Sequence, residues 1–148
     1  MSYTYDRDDE DSFTMANFRD HVDRATFDQI LEMDEDGEHD FSEPLVFNFF
    51  DQAEETFGKM DEALARKDLD TLSQLGHFLK GSSATLGFIK IRDSCQVIQQ
   101  YGHGQTVDGL SEPNEAVCLG KIKEAIKTLK TDMVDLEKAI KTFFDDAK

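Results

Sequence analysis

Leu75-Gly-His-Phe-Leu-Lys-Gly-Ser-Ser-Ala-Thr-Leu-Gly87 reads as a helix with one apolar side. An α-helix turns by about 100° per residue. With His77 set at zero, Leu72, Leu75, Leu79, Ser82 and Leu86 fall between roughly 140° and 220°. That stripe lies opposite the histidine and is expected to be buried. Lys80 falls near roughly 300°, Ala84 near 340° and Gly81 near 40°. His77 is therefore expected to face solvent, with a cation on one side and residues of little bulk on the other. Asp68 is placed to cap this helix and Gly87 to end it.

The same helical spacing recurs on both sides. Towards the C-terminus, a shorter helix is expected over about Ile89 to Tyr101, with Ile91, Cys95 and Ile98 inward and Gly102 as its stop. Residues 102–110 form a flexible connection. Ser111-Glu-Pro113 reads as a helix entry, and the last helix should run to about Phe144. In it Leu119, Ile122, Ile126, Leu129, Met133, Leu136, Ile140 and Phe143 form a seam at 3–4 spacing. Lys121, Lys123, Lys127, Lys130, Lys138 and Lys141 mark its wet side. Towards the N-terminus, Ser42 is placed to cap a long helix with Pro44 in its first turn. Val46, Phe49 or Phe50, Ala53, Phe57, Met60 and Leu64 make its inner face, through to about Arg66. Asp23 caps a short first helix reaching roughly Met33, with Val22 and Phe27 in the positions of a hydrophobic staple. The expected fold is all-α: an antiparallel four-helix bundle with a short N-terminal helix packed across it.

Composition narrows the class. The 148 residues suit one domain. Residues 1–12 read as a disordered acidic tail, and residues 13–148 as the bundle domain. No apolar run approaches the ~18 residues of a membrane span. Two distant cysteines make no disulfide framework and point to a reducing compartment. The formal net charge is −16, and residues 1–40 alone carry 14 acidic and 3 basic side chains. Such a chain is a poor ligand for nucleic acid and suits partners with basic surfaces. The acidic run Asp34–Asp40 is no EF-hand loop. A loop starting at Asp34 needs glycine at its sixth position and glutamate at its twelfth, where this chain has His39 and Leu45.

His77 is the residue with chemistry to offer. A solvent-facing imidazole is a nucleophile near neutral pH. Lys80, one turn on, can neutralise an incoming phosphoryl group. Gly81 costs about 1 kcal/mol of helix propensity, and the bulk it removes lets another protein's surface approach the ring. Competing uses lack their partners. Di-iron bundles need Glu-x-x-His pairs, and none of the four histidines has a glutamate three residues before it. No serine or cysteine nucleophile with an orienting acid accompanies His77, and no nucleotide-binding motif is present.

The string His77-Phe78-Leu79-Lys80-Gly81-Ser82-Ser83-Ala84-Thr85-Leu86-Gly87 resembles the signature of histidine-containing phosphotransfer (HPt) proteins, in particular the fungal members of multistep phosphorelays. The resemblance runs from about Asp23 to Tyr101 and resumes in the last helix. It implies that His77 accepts a phosphoryl group from a receiver-domain phospho-aspartate of a hybrid histidine kinase and passes it to the aspartate of a response regulator. It implies that Lys80 steadies the phosphate and that Gly81 gives the receiver room. Ser82 and Ser83 are the small residues behind them, at least one facing inward, and Gln99 lies near the imidazole. Ile30 and Ala84 are implied in the docking surface, with polar contacts from Asp34–Asp36. Where fungal relatives carry an arginine this chain has His103, which either serves as a weaker, pH-dependent cation or has no role. The resemblance further implies a covalent carrier without autokinase activity, no cofactor or metal of its own, and Mg²⁺ supplied by the receiver. The seam of the last helix, consumed within the bundle, points to a monomer, and the small size of the chain to a cytoplasmic and nuclear location. The alternative is a non-catalytic acidic helical adaptor.

Overall fold

Each helix in the computed structural model starts where a side chain can satisfy free backbone amides, or where the chain has just turned a corner. The structure describes residues 18–35 and 37–146. The expected acidic tail and Asp36 lie outside the described residues. After one helical turn at residues 18–21 come α1 (Arg24–Leu31), α2 (Ser42–Ala65), α3 (Leu69–Leu86), α4 (Ile89–Gly102) and α5 (Glu115–Asp146). Helices α2 to α5 form the four-helix bundle, with α3 against α4, α4 against α5, and α2 closing the ring. Helix α1 packs on α3. The described residues contain no β-strand and no helix long and apolar enough to cross a membrane.

Most of the predicted inner faces are the core, while Leu64, Leu75, Leu119 and Phe143 pack against it partly buried and Ser82 is half-buried at its edge. Leu72, Leu79 and Leu86 of α3, Ile91, Cys95 and Ile98 of α4, and Ile122, Ile126, Leu129, Met133, Leu136 and Ile140 of α5 are buried. Burial pushes the Cys95 thiol up to about 12, so it packs as a small neutral side chain. One end of the bundle is aromatic. Phe27 of α1 meets Phe18 at 5.8 Å, Phe88 at 6.2 Å and Phe143 at 5.6 Å between ring centroids. Beside this cluster the chain entering α1 runs against the α3–α4 corner. The Asp23 amide donates to the Gly87 carbonyl at 2.7 Å. Gly87 has φ of +81°, and a Cβ there would meet the Asp23 oxygen at 2.9 Å, so glycine answers both the turn and the contact.

Two helix starts differ from the sequence reading. Ser42 is not the cap of α2; it is the first helical residue and is buried. Asp34 does the capping from across the acidic loop. Its carboxylate accepts from the amides of Phe41 at 2.9 Å and Ser42 at 2.7 Å, from the Ser42 hydroxyl, and from His39 Nδ1 at 3.1 Å. Desolvation opposes the charge, but these bonds outweigh it and hold the carboxyl below its usual range. Asp34→Ala should cost about 2 kcal/mol, at the upper end for a lost cap, read by urea unfolding. Ser111 likewise does not open α5. The Glu112 amide is tied to the Gly104 carbonyl at 2.6 Å and residues 105 and 111 pair as an isolated bridge, which keeps this stretch out of a helix. Asn114 caps instead, accepting from the Val117 amide at 3.2 Å.

His21 is 1% exposed, and its Nδ1 has no hydrogen-bond partner among the described residues. Burial, then the charge of Lys90, lowers its pKa below the ordinary 6.5, against the opposing pull of Asp132, Asp135 and Asp20. The unfolded chain therefore takes a proton here more readily than the folded one. Stability should fall as the pH drops through about 6.5, and His21→Leu should flatten that part of a stability–pH profile.

Candidate functional site

Helix α3 carries the site at its middle. Asp68 caps its start by accepting from the Thr71 amide at 3.1 Å, and Gly87 ends it in the left-handed region. His77 lies on the face away from Leu72 and Leu79 and is exposed, as the 100° arithmetic requires. Its partner comes from α4. Gln99 Nε2 lies 3.2 Å from His77 Nδ1, and Lys80 Nζ donates to Gln99 Oε1 at 3.4 Å. Lys80, Gln99 and His77 thus form one chain of contacts, in which Nδ1 is engaged and Nε2 is the ring nitrogen left for chemistry.

The two helices are held together at backbone distance just beneath this chain. A Cβ on Gly76 would sit 3.0 Å from the Gln99 nitrogen and 3.1 Å from the Cys95 oxygen. A Cβ on Gly102 would sit 2.7 Å from Ser73 Cβ, and the Ser73 hydroxyl donates to the Gln99 carbonyl at 3.1 Å. Gly102 is the last residue of α4; close approach, not only helix termination, calls for glycine there.

The other side of His77 is open. A Cβ on Gly81 would meet nothing within 4 Å, and Ala84 is exposed. Ser82 and Ser83 do not reach the imidazole. Ser82 donates to the Phe78 carbonyl at 3.4 Å, and the buried Ser83 donates to the Lys80 carbonyl at 3.0 Å, so both tie the helix to itself. Ser83 is the one that faces inward. His103 follows α4 and, with Ser73, Gln74, His77 and Gln99, lines one shallow depression. Ile30 is only 9% exposed and belongs to the core, so it offers a partner little surface; Met33, three residues on, is 64% exposed. Phe78, next to His77, is 53% exposed. The sequence reading passed over it, although its angle of about 100° lies outside the buried stripe. Among the described residues, two groups of side chains could hold a cation, His21 with Asp132 and Asp135, and Glu35 with Glu38 and Asp40. Neither includes a residue of this site.

A solvent-facing imidazole, oriented from behind by an amide and flanked by an ammonium on a helical bundle, defines a class of protein in which one histidine is presented to a partner. Residues 44–139 match the Hpt domain family, and the chain belongs to that family. It is 43% identical over 125 residues to multistep phosphorelay regulator 1 of Schizosaccharomyces pombe, a match covering 84% of this chain and 42% of that protein. It is 54% identical over 82 residues to the phosphorelay intermediate protein YPD1 of Candida albicans, covering 55% and 44%. The chain thus spans under half the length of these curated relatives. Its fold matches Ypd1 of Saccharomyces cerevisiae, co-crystallised with the receiver domain of its downstream response regulator Ssk1. That match has a TM-score of 0.75 and 29% identity, over 84% of this chain and 94% of that one.

Proposed function

We propose that this chain is a phosphorelay intermediate that carries a phosphoryl group on His77 between receiver domains. The observation that carries the reading is the Gln99–His77 contact. An amide from α4 engages Nδ1 of an exposed imidazole, so Nε2 is the nitrogen presented to a partner. In the first transfer, the Nε2 lone pair forms the N–P bond as the P–O bond to the receiver aspartate breaks, and the carboxylate leaves with that electron pair. The second transfer reverses this on another receiver. Lys80 offsets charge on the moving phosphoryl oxygens, and the surface around Gly81, Ala84 and Phe78 receives the partner. The donor is the receiver of a hybrid histidine kinase and the acceptor that of a response regulator. Mg²⁺ belongs to the receiver; an imidazole, an ammonium and an amide do not make a site for a cation. The protein is then a covalent carrier without autokinase activity, acting as a monomer in cytoplasm and nucleus. A purely adaptor role has no use for an amide held against the imidazole.

The test is to mix the protein with a phosphorylated receiver domain, Mg²⁺ and no ATP. An acid-labile, base-stable phosphate should appear on the chain; its absence with several receivers would sink the reading. Gly81→Gln should slow transfer by about 100-fold, the scale of a misplaced reaction partner. Because its side chain would point into open space and recover helix propensity that glycine forgoes, thermal stability should be unchanged or slightly raised, which separates docking from folding.

A further inference from the structure

The Lys80–Gln99–His77 chain of contacts also sets which nitrogen of His77 carries the proton. An ammonium has hydrogens to give and no lone pair to accept with. The Gln99 atom facing Lys80 at 3.4 Å is therefore the carbonyl oxygen. The amide is planar, so its NH₂ group is the end turned towards His77 Nδ1 at 3.2 Å. The opposite amide orientation would set NH₂ against NH₃⁺ and forfeit the Lys80 contact, whereas this one satisfies both neighbours. An NH₂ group donates, so Nδ1 accepts and holds a lone pair. A neutral imidazole with a bare Nδ1 has its hydrogen on Nε2. That is the solvent-side nitrogen, and with the hydrogen in place it has no lone pair for attack.

We propose that the resting site holds His77 in the unreactive Nε2–H form, and that an incoming phosphoryl group switches it by drawing Lys80 away from Gln99. Phosphoryl oxygens are stronger acceptors for an ammonium than an amide oxygen. Once Lys80 turns to them, nothing fixes the amide orientation, and Gln99 can turn its oxygen towards His77. That oxygen binds Nδ1–H. The ring proton moves from Nε2 to Nδ1 through solvent, with the proton count unchanged, and the Nε2 lone pair is exposed. Attack then forms the N–P bond and releases the aspartate carboxylate. The ring keeps its Nδ1 proton and becomes cationic, stabilised by the Gln99 oxygen. Lys80 thus acts twice, on the phosphate directly and on the imidazole through Gln99, where Gln99 is a positioning residue. The nucleophile forms only when a phosphoryl group is there to receive it.

The consequence for transfer rests on the phosphorelay reading, but the resting tautomer does not, so the two can fail separately. The measurement is a long-range ¹H–¹⁵N correlation spectrum of the ¹⁵N-labelled protein, above the histidine titration range, with His77 assigned by its loss in His77→Gln. The wild type should show hydrogen on Nε2 and a bare Nδ1. Lys80→Met, which keeps the apolar stem, should raise the Nδ1–H form from undetected to a readily measured fraction. Gln99→Glu, whose carboxylate can only accept, should make Nδ1–H the major form. An Nδ1–H wild type, or a tautomer that ignores both substitutions, overturns the switch. A tautomer that responds as stated in a protein that takes up no phosphate would overturn the phosphorelay reading and leave this assignment standing.

Discussion

A His77→Gln protein should take up no phosphate from a phosphorylated receiver, while its melting temperature stays within about 3 °C of the wild type. Glutamine has no ring nitrogen to form the N–P bond, so the covalent step is removed rather than slowed. The other three histidines cannot substitute for it. His21 is buried and His39 is half-buried against Phe144. His103 shares the depression, but among the described residues no amide contact like that of Gln99 orients its ring. The stability cost is small because His77 is exposed and its one bond, to Gln99, is a surface bond worth about 1 kcal/mol at most. Scintillation counting of transferred phosphate, set beside a thermal melt, checks both halves.

Phe27→Ala should be the most damaging single change to the fold outside the site, costing about 3–5 kcal/mol. Its ring is fully buried and touches Phe18, Phe88, Phe143 and Phe144. Removing it leaves a cavity lined by four rings from three separate segments, and no one segment can relax into the space without leaving the others. For a chain of this size the melting temperature should drop by roughly 8–16 °C. The site sits at the middle of α3 and near the end of α4, away from the Gly87–Phe88 corner that Phe27 packs against, so phosphotransfer at low temperature should persist in the fraction that is folded. Calorimetry and a transfer assay well below the melting temperature would separate the two effects.

The features legible in the sequence are those written at short range. The 3–4 spacing of Leu72, Leu79 and Leu86, and of the α5 seam, fixed which faces are buried, and the same angles put His77 and Lys80 on the opposite side. Asp23, Asp68 and Gly87 act on amides or carbonyls within a few residues and were readable for that reason. The capping of α2 was not, because Asp34 reaches eight residues forward across a loop to Ser42 while a serine stands where a local cap would be expected. Asn114 was missed because Ser111-Glu-Pro113 copies the look of a helix start, and only the tie from Glu112 to Gly104 withholds it. Ile30 keeps helical spacing whether it faces a partner or the core, so spacing could not decide; packing against the bundle did. The proximity of Gln99 to His77 rested on resemblance alone, since the two are 22 residues apart.

The main-chain contact between α3 and α4 bears on how the protein responds to heat. Packed side chains loosen and hop between rotamers as temperature rises, and a site held by them drifts before the fold gives way. Gly76, Ser73 and Gly102 leave no such compliant layer. The spacing between the helix that carries the imidazole and the helix that carries the amide is set by hard atomic contact. Alignment at the site should therefore hold almost unchanged up to the unfolding transition, and heat should end activity by melting the bundle rather than by gradually detuning it.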